Sequence, residues 1–325
     1  MPELKFLEAI REGMAAEMAI DENVVIMGEE VGQLGGVFAV TKGLIDRFGS
    51  DRVMDSVLAE GALTGFAVGV ATEGMRPVVE IMFSDFSTQA MDQLFNFAAK
   101  IHYMSNGQFN APMVVRLPGG AGTNHGPQHS QSFETIYAHI PGLIVAMPST
   151  PSDAYWMMRH AIRTDDPVIF LENKYLYFRA VEEVDETEGY RSMDARVVRA
   201  GDDVTIVSAG RMVPRALAAA ERAAADGVQC EVVDLRYLWP LDFETVARSV
   251  RRTNRLLIVH EAVEFCGWGG EVASRAADQL LTDLDAPVRR VGSKRIPIPV
   301  GQHLEDHVVP TEDRIYAEIR DIAAY

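Results

Sequence analysis

Cysteine is nearly absent from this 325-residue chain, which carries only Cys230 and Cys266. Two isolated thiols build neither a disulfide framework nor a metal-binding motif, and they read as inert side chains. Positive charge is also scarce: 30 Lys and Arg face 47 Asp and Glu, a net charge of -17. That balance excludes nonspecific binding to nucleic acid or to an anionic membrane surface, while permitting a basic protein partner. No apolar run approaches the roughly 18 residues of a membrane-spanning helix. The start, Met1-Pro2-Glu3-Leu4-Lys5, lacks the basic and apolar regions of a signal peptide and the arginine-rich character of a transit peptide. The expected location is a bacterial-type cytosol.

What is present describes a globular protein with ample core: 48% of residues are hydrophobic and the mean hydropathy is +0.00. The length fits two domains. Leu4, Leu7, Ile10, Met14 and Met18 recur at helical spacing and predict an amphipathic helix over 4–20. Short apolar, β-branched runs follow at Val24–Gly28, Val78–Met82, Met113–Leu117, Leu143–Met147 and Val168–Leu171, with helical stretches expected over 60–75, 87–104 and 151–164. Buried strands alternating with helices imply a parallel sheet covered on both faces, an α/β fold. Pro148-Ser149-Thr150-Pro151-Ser152 marks a strand exit with a capping residue.

The alternation fades near 175–200, where Glu182-Glu183-Val184-Asp185-Glu186-Thr187-Glu188-Gly189 reads as an exposed linker. It resumes with strands at Val204–Ala209, Cys230–Leu235 and Leu256–His260 and a helix over 212–225. The expected organisation is therefore a first domain over 1–185, a linker over 186–199 and a second domain over 200–325. No fixed-period repeat or low-complexity tract is visible.

The most informative stretch runs from Asp55 to Val70. Glu60 stands where a loop feeds a helix, and Gly61, Gly65 and Gly69 then share one helix face. Each such glycine costs a helix about 0.8–1.0 kcal/mol. Two readings stand on the residues alone: close packing inside one subunit, with Glu60 as a helix-start charge stabilised by the dipole, or the close approach of another backbone. Further on, Pro118–Pro127 is glycine-rich without a Walker pattern. It reads as a shaped active-site loop rather than a phosphate cradle.

Glu60, Gly65, Phe66 and Gly69 resemble the glutamate–glycine signature of the pyrimidine-binding domain in thiamine diphosphate enzymes. The whole chain is similar to the beta subunit of the decarboxylase component of pyruvate, branched-chain and acetoin dehydrogenases. The similarity is carried by Gly28-Glu29-Glu30-Val31, Arg76-Pro77-Val78-Val79-Glu80, Gln128-His129-Ser130-Gln131, Pro141-Gly142-Leu143, Pro167–Asn173 and His260-Glu261-Ala262. It implies a pyrimidine-binding transketolase-like domain followed by a transketolase C-terminal-like domain.

The resemblance also implies roles. Glu60 would share a proton with the far ring nitrogen of the cofactor's aminopyrimidine, while Leu58, Met82 and Phe86 contact that ring. His129 would face the substrate side and assist acyl transfer to a lipoyl group, a duty suited to an imidazole that titrates near neutrality. Glu29 would belong to an acidic proton relay; from the residues alone, Glu29-Glu30 is a solvated pair. A potassium ion would be held by carbonyls at Met113, Ala161, Ile162, Thr164 and Asp166, with Thr164 standing where the family has aspartate. Read without the resemblance, that segment is a plain helix–strand turn.

One motif is missing. There is no Gly-Asp-Gly followed by a distant Asn, the family's clamp for magnesium and diphosphate; the nearest segment is Gly201-Asp202-Asp203. Diphosphate needs Mg2+ and preorganised donors. The implied partner is thus an alpha subunit in an α2β2 heterotetramer, with a lipoyl acyltransferase as acyl acceptor and a 2-oxo acid as substrate. Trp239-Pro240-Leu241-Asp242 fits an assembly role for the second domain, whereas Lys294-Arg295-Ile296-Pro297-Ile298-Pro299 departs from the family's acidic pattern. Gln128 leans toward pyruvate or acetoin and Tyr177-Phe178-Arg179-Ala180 toward branched-chain acids, so the substrate stays open. A thiamine-dependent acyloin carboligase, a self-contained transketolase-like enzyme and a noncatalytic assembly subunit are the alternatives.

Overall fold

The computed structural model describes residues 2–187, 189 and 192–325. Glu188, Tyr190 and Arg191, which fall in the expected linker, and Met1 lie outside the described residues. Two compact units emerge: Met1–Gly119 with Ile136–Ser192, and Gly120–Thr135 with Met193–Tyr325. The glycine-rich segment thus groups with the C-terminal unit.

In the first unit the chain forms β1 (Glu3–Lys5), α1 (Phe6–Ile20), β2 (Val24–Gly28), α2 (Leu44–Phe48), β3 (Val53–Asp55), α3 (Glu60–Thr72) and β4 (Arg76–Glu80). It continues with α4 (Ile101–Met104), β5 (Val114–Gly119), α5 (Glu134–Ala138, where the division between units falls), β6 (Ile144–Ala146), α6 (Pro151–Arg163), β7 (Val168–Asn173) and β8 (Val181–Glu183). Six of these strands run parallel in the order β6-β7-β5-β4-β2-β3. All five residues of β2 and all six of β5 and of β7 are buried, as strands covered on both faces require.

Helix α1 lies against α6. A Cβ at Gly13 would stand 2.8 Å from the Tyr155 carbonyl, so glycine sets how closely the two helices cross. Glu17, 2% exposed, receives Arg159 at 2.6 Å and Arg163 at 2.8 Å from α6. Thr150 caps α6 by accepting the Asp153 N–H at 3.1 Å, and Pro151 occupies the first turn, where no amide donor is needed.

Three expectations change. Leu4 is not helical but pairs with Glu182 in the antiparallel β1–β8 ribbon. The start of the acidic run is correspondingly tied down: Val184 is buried, and Trp156 donates to the Asp185 carbonyl at 3.0 Å. The helix expected over 87–104 is instead a 3-10 turn (Ser84–Gln89), a π turn (Gln93–Ala98) and α4. That irregular path lies against α3, where a Cβ at Gly61 would approach the Gln89 carbonyl to 2.9 Å and one at Gly65 the Gln93 side chain to 3.2 Å. Gly61 is therefore explained by packing against backbone within the chain, whereas at Gly65 only the tip of the Gln93 side chain would have to give way. Gly69 meets nothing within 4 Å.

The second unit comprises β9 (Arg196–Arg199), β10 (Val204–Ser208), α7 (Met212–Ala225), β11 (Cys230–Asp234), β12 (Tyr237–Trp239), α8 (Phe243–Thr253), β13 (Leu256–Val263), α9 (Gly269–Gln279), β14 (Arg289–Ser293), α10 (Gln302–Val308) and α11 (Glu312–Ala323). Its sheet order is β14-β13-β10-β11-β9, parallel except for the β9 edge. Ala216, Ala219, Ala220 and Ala223 make a small-residue face on α7 that shares a core with Ile315, Ile319 and Ile322 of α11. Each isoleucine so buried is worth about 1.5–3 kcal/mol. Among the described residues, no helix is long and apolar enough to cross a membrane.

A charged network spans the middle of the first sheet. Arg116 of β5 is 0% exposed. Its guanidinium forks onto both oxygens of Glu172 of β7 at 2.7 Å each and also pairs with Glu80 of β4. The Tyr177 hydroxyl donates to Glu172 at 2.5 Å. Removing one member of such a buried cluster leaves uncompensated charge. We expect Arg116→Met to lower stability by about 3–5 kcal/mol, read by denaturant titration; a loss below about 1 kcal/mol would contradict this account of the network.

Candidate active site

In an open parallel sheet, ligands bind beyond the carboxyl ends of the strands where the connections reverse direction. Here β2 lies between β3 and β4, so the chain steps from β2 to β3 and then crosses back to β4. The switch point is between β2 and β4, whose last residues, Gly28 and Glu80, are paired in register. Glu29 is the first residue beyond β2, and Glu80 is the last of β4.

The two adjacent glutamates expected as a solvated pair are separated by the backbone. Glu30 takes a left-handed conformation, φ 61°, and is exposed, whereas Glu29 is 2% exposed. The amide of Ala59 donates to the Glu29 carboxylate, while Glu29 Oε1 is buried with no hydrogen-bond partner among the described residues. Burial first, then the neighbouring charge of Glu60 and a smaller push from Glu80, raise its carboxyl to about 7; only the Ala59 amide opposes them. Glu60 opens α3, in its first turn, and is 6% exposed. The structure thus brings Glu29, Glu60 and Glu80 together at the switch point.

The other expected contacts sit on flanking segments. Leu58 is 76% exposed, and Met82 and Phe86 are half-buried. Phe86 stands edge-on to Phe83, ring centroids 6.1 Å apart, and Phe83 stands edge-on to Phe38 at 5.5 Å. A buried carboxyl holding an unpartnered oxygen fits a ring nitrogen that exchanges a proton.

At the expected potassium position the donors are already engaged. The carbonyls of Ile162 and Thr164 accept from Arg76 at 3.0 and 3.1 Å, and Arg76 also pairs with Asp165 at 2.7 Å. The Met113 carbonyl accepts the Val168 amide, and that of Ala161 the Thr164 amide; Asp166 is exposed. A carbonyl oxygen keeps a second lone pair, so potassium here would share its oxygens with the Arg76 guanidinium. That internal cation is Arg76 of the Arg76-Pro77-Val78-Val79-Glu80 segment, a residue with no expected part in the potassium position.

His129 belongs to the second unit, in the segment Gly120–Thr135, and is half-buried. Gly120, Gly122, Asn124 and Gly126 all have positive φ, at 76°, 101°, 61° and 75°. Left-handed residues at every second position turn successive amides toward a common side, a concavity that attracts anions. Protein carboxylates fill it. Glu261 accepts the Ala121 amide at 2.6 Å, and Glu305 accepts those of Gly122 at 2.6 Å and Asn124 at 3.0 Å. The loop does have the shape of a phosphate cradle, but these donors are spent on Glu261 and Glu305. His125 is exposed, its ring 2.8 Å from the Thr123 hydroxyl.

Comparison with known proteins accords with this geometry. Residues 3–179 match the family described as transketolase, pyrimidine binding domain, and residues 193–315 match transketolase, C-terminal domain. Over 318 residues the chain is 42% identical to the pyruvate dehydrogenase E1 component subunit beta of Rickettsia felis, covering 98% of both chains. The chain belongs to the beta-subunit family of 2-oxo acid dehydrogenases. It is also 40% identical over 327 residues to the 2-oxoisovalerate dehydrogenase subunit beta of Bacillus subtilis, covering 100% of each. A solved structure titled split gene transketolase, inactive beta4 tetramer, superposes with a TM-score of 0.81 at 21% identity, over 99% of this chain and 98% of that one, and shares the fold. The family resemblance drawn from the sequence and the α/β class of both domains therefore hold.

The raised Glu29 carboxyl has a consequence for stability. A glutamate in the unfolded chain loses its proton near 4.5, whereas folded Glu29 keeps it to about 7. Between these values the folded chain holds the extra proton, so stability falls as pH rises through that window. Glu134, buried and likewise raised to about 7, acts in the same direction. Glu29→Gln should show a smaller drop in melting temperature from pH 5 to pH 8 than the unaltered protein; an identical drop would remove the assignment.

Proposed function

We propose that this chain is the beta half of a thiamine-diphosphate-dependent 2-oxo acid dehydrogenase and acts with a separate alpha subunit in an α2β2 assembly. The observation that carries the reading is the buried Glu29 carboxyl, one oxygen unpartnered, set beside Glu60 at the switch point of a pyrimidine-binding domain. Relatives named as beta subunits of pyruvate and 2-oxoisovalerate dehydrogenase across nearly their full lengths support it. Bound thiamine diphosphate would supply the carbanion equivalent that adds to the 2-oxo acid and lets carbon dioxide leave.

The chain's own residues divide the remaining work. Glu60 gives and takes the proton at the far nitrogen of the aminopyrimidine, and Glu29, poised near neutrality, holds a spare proton next to it. Leu58, Met82 and Phe86 shape the ring's pocket and keep water from it. His129 hydrogen-bonds the reacting substrate and assists passage of the acyl group to a lipoyl acyltransferase. Magnesium and the diphosphate fall to the alpha subunit, because this sequence has no Gly-Asp-Gly clamp. Pyruvate and branched-chain 2-oxo acids are the substrate classes that the relatives' names support.

The test is dye-coupled oxidation of a panel of 2-oxo acids by this chain alone and co-purified with its alpha subunit, with thiamine diphosphate and magnesium. Turnover by the pair only is expected, and turnover by this chain alone would overturn the split site. In the pair, Glu60→Gln should retain the cofactor yet lose on the order of 10²–10⁴-fold in turnover. Near-normal turnover would remove Glu60 from its role.

A further inference from the structure

The loop that carries His129 is held by two buried carboxylates that no role assigned above employs. Glu305 of α10 is 0% exposed and Glu261 of β13 is 3% exposed. Glu305 uses both oxygens, Oε2 on the Gly122 amide and Oε1 on the Asn124 amide, while Glu261 Oε1 takes the Ala121 amide and lies 3.3 Å from the Ser132 hydroxyl. The loop answers with Glu134, which accepts the Ala262 amide at 3.0 Å, one residue beyond Glu261. His129 therefore sits between clamped points: residues 121, 122 and 124 before it, 132 and 134 after it. Close packing leaves the backbone little slack. A Cβ at Gly122 would stand 2.6 Å from the Arg211 guanidinium, and one at Gly126 2.9 Å from Val300.

Charge-assisted bonds from amides to a buried carboxylate are strong and directional. The Ala121, Gly122 and Asn124 amides need acceptors, and those acceptors come from side chains of β13 and α10 rather than from the loop's own turns. A carboxylate bonded to two amides of one loop fixes that loop's register. We infer that Glu305 and Glu261 are positioning residues: they act through the backbone to fix His129, so the second domain sets the geometry of the acyl-transfer side of the reaction. This rests on the role proposed for His129, and the two ideas separate experimentally.

Glu305→Gln replaces one acceptor oxygen with an amide nitrogen that faces an N–H. In the assembled complex, hydrogen exchange at Gly122 and Asn124 should accelerate by about tenfold or more, with a smaller change at Ala121. Unchanged exchange would overturn the clamp whatever the activity. Turnover with a lipoyl group as acyl acceptor should fall roughly 10- to 100-fold with little change in KM for the 2-oxo acid or in cofactor affinity. The fall should be non-additive with His129→Ala, since a residue acting through His129 has nothing left to place once the imidazole is gone. Additive losses, or a loss in Glu305→Gln when His129→Ala is silent, would show that Glu305 does not act through His129. Glu261→Gln, which frees Ala121 and Ser132, gives a second reading of the same cycle if Glu305→Gln fails to assemble. Failure of the pair to oxidise any 2-oxo acid would sink the proposed activity while leaving the exchange result to judge the clamp.

Discussion

A carboxylate withdrawn from water must find an opposite charge or hydrogen-bond donors, or it takes up a proton; the penalty otherwise is several kcal/mol. This chain, with 47 acidic residues, meets that constraint in three ways. Arg116 pairs with both Glu80 and Glu172 across three neighbouring strands, and because one cation balances only one of the two carboxylates, burial also pushes the Glu80 carboxyl up. Glu261 and Glu305 are satisfied by amides of an alternating left-handed loop. Glu29 has one amide and one unpartnered oxygen, and it takes the third route: its proton stays on to about pH 7. The first two solutions are structural and rigid. The third leaves a group able to change its protonation near neutrality, which is what proton-transfer chemistry requires.

Much of the fold was legible because its signals are local. Five-residue apolar runs such as Val24–Gly28 can be satisfied only by burial on both faces, so the strands of the parallel sheets stood out. The segment 87–104 misled because its composition suits a helix, while its path is set by contact with α3 at Gly61 and Gly65, which lies outside any local window. The start of the acidic run misled for a similar reason. Val184 is buried and Val181–Glu183 pairs with Glu3–Lys5, contacts made by residues far away in sequence.

The site divided along the same line. Glu60 was conspicuous from its place before a glycine-striped helix, and the resemblance supplied its role. That Glu29 is buried while Glu30 is exposed depends on a left-handed turn at Glu30, a conformation that no pattern of residue types marks for glutamate. Arg76 at the expected potassium turn was equally hidden, because its bonds to the Ile162 and Thr164 carbonyls join residues 86 and 88 positions apart. Glu305 had no sequence signal at all. Its partners are backbone amides, and backbone amides look alike in every sequence.

The glycine-rich loop shows why motif and mechanism must be separated. Alternating left-handed residues create an anion-binding concavity regardless of which anion fills it. An external phosphate would make the loop a ligand site whose order depends on occupancy. Internal carboxylates keep the donors satisfied at all times, so the loop is shaped before any ligand arrives and the cost of ordering it is met during folding. A histidine carried on such a loop can be held to the tolerance that chemistry needs without belonging to a helix or strand. The same reasoning accounts for the asymmetry between the two acidic clusters. Around the loop, Glu305 has both oxygens matched to backbone amides, whereas Glu29 at the switch point has one oxygen left without a donor among the described residues.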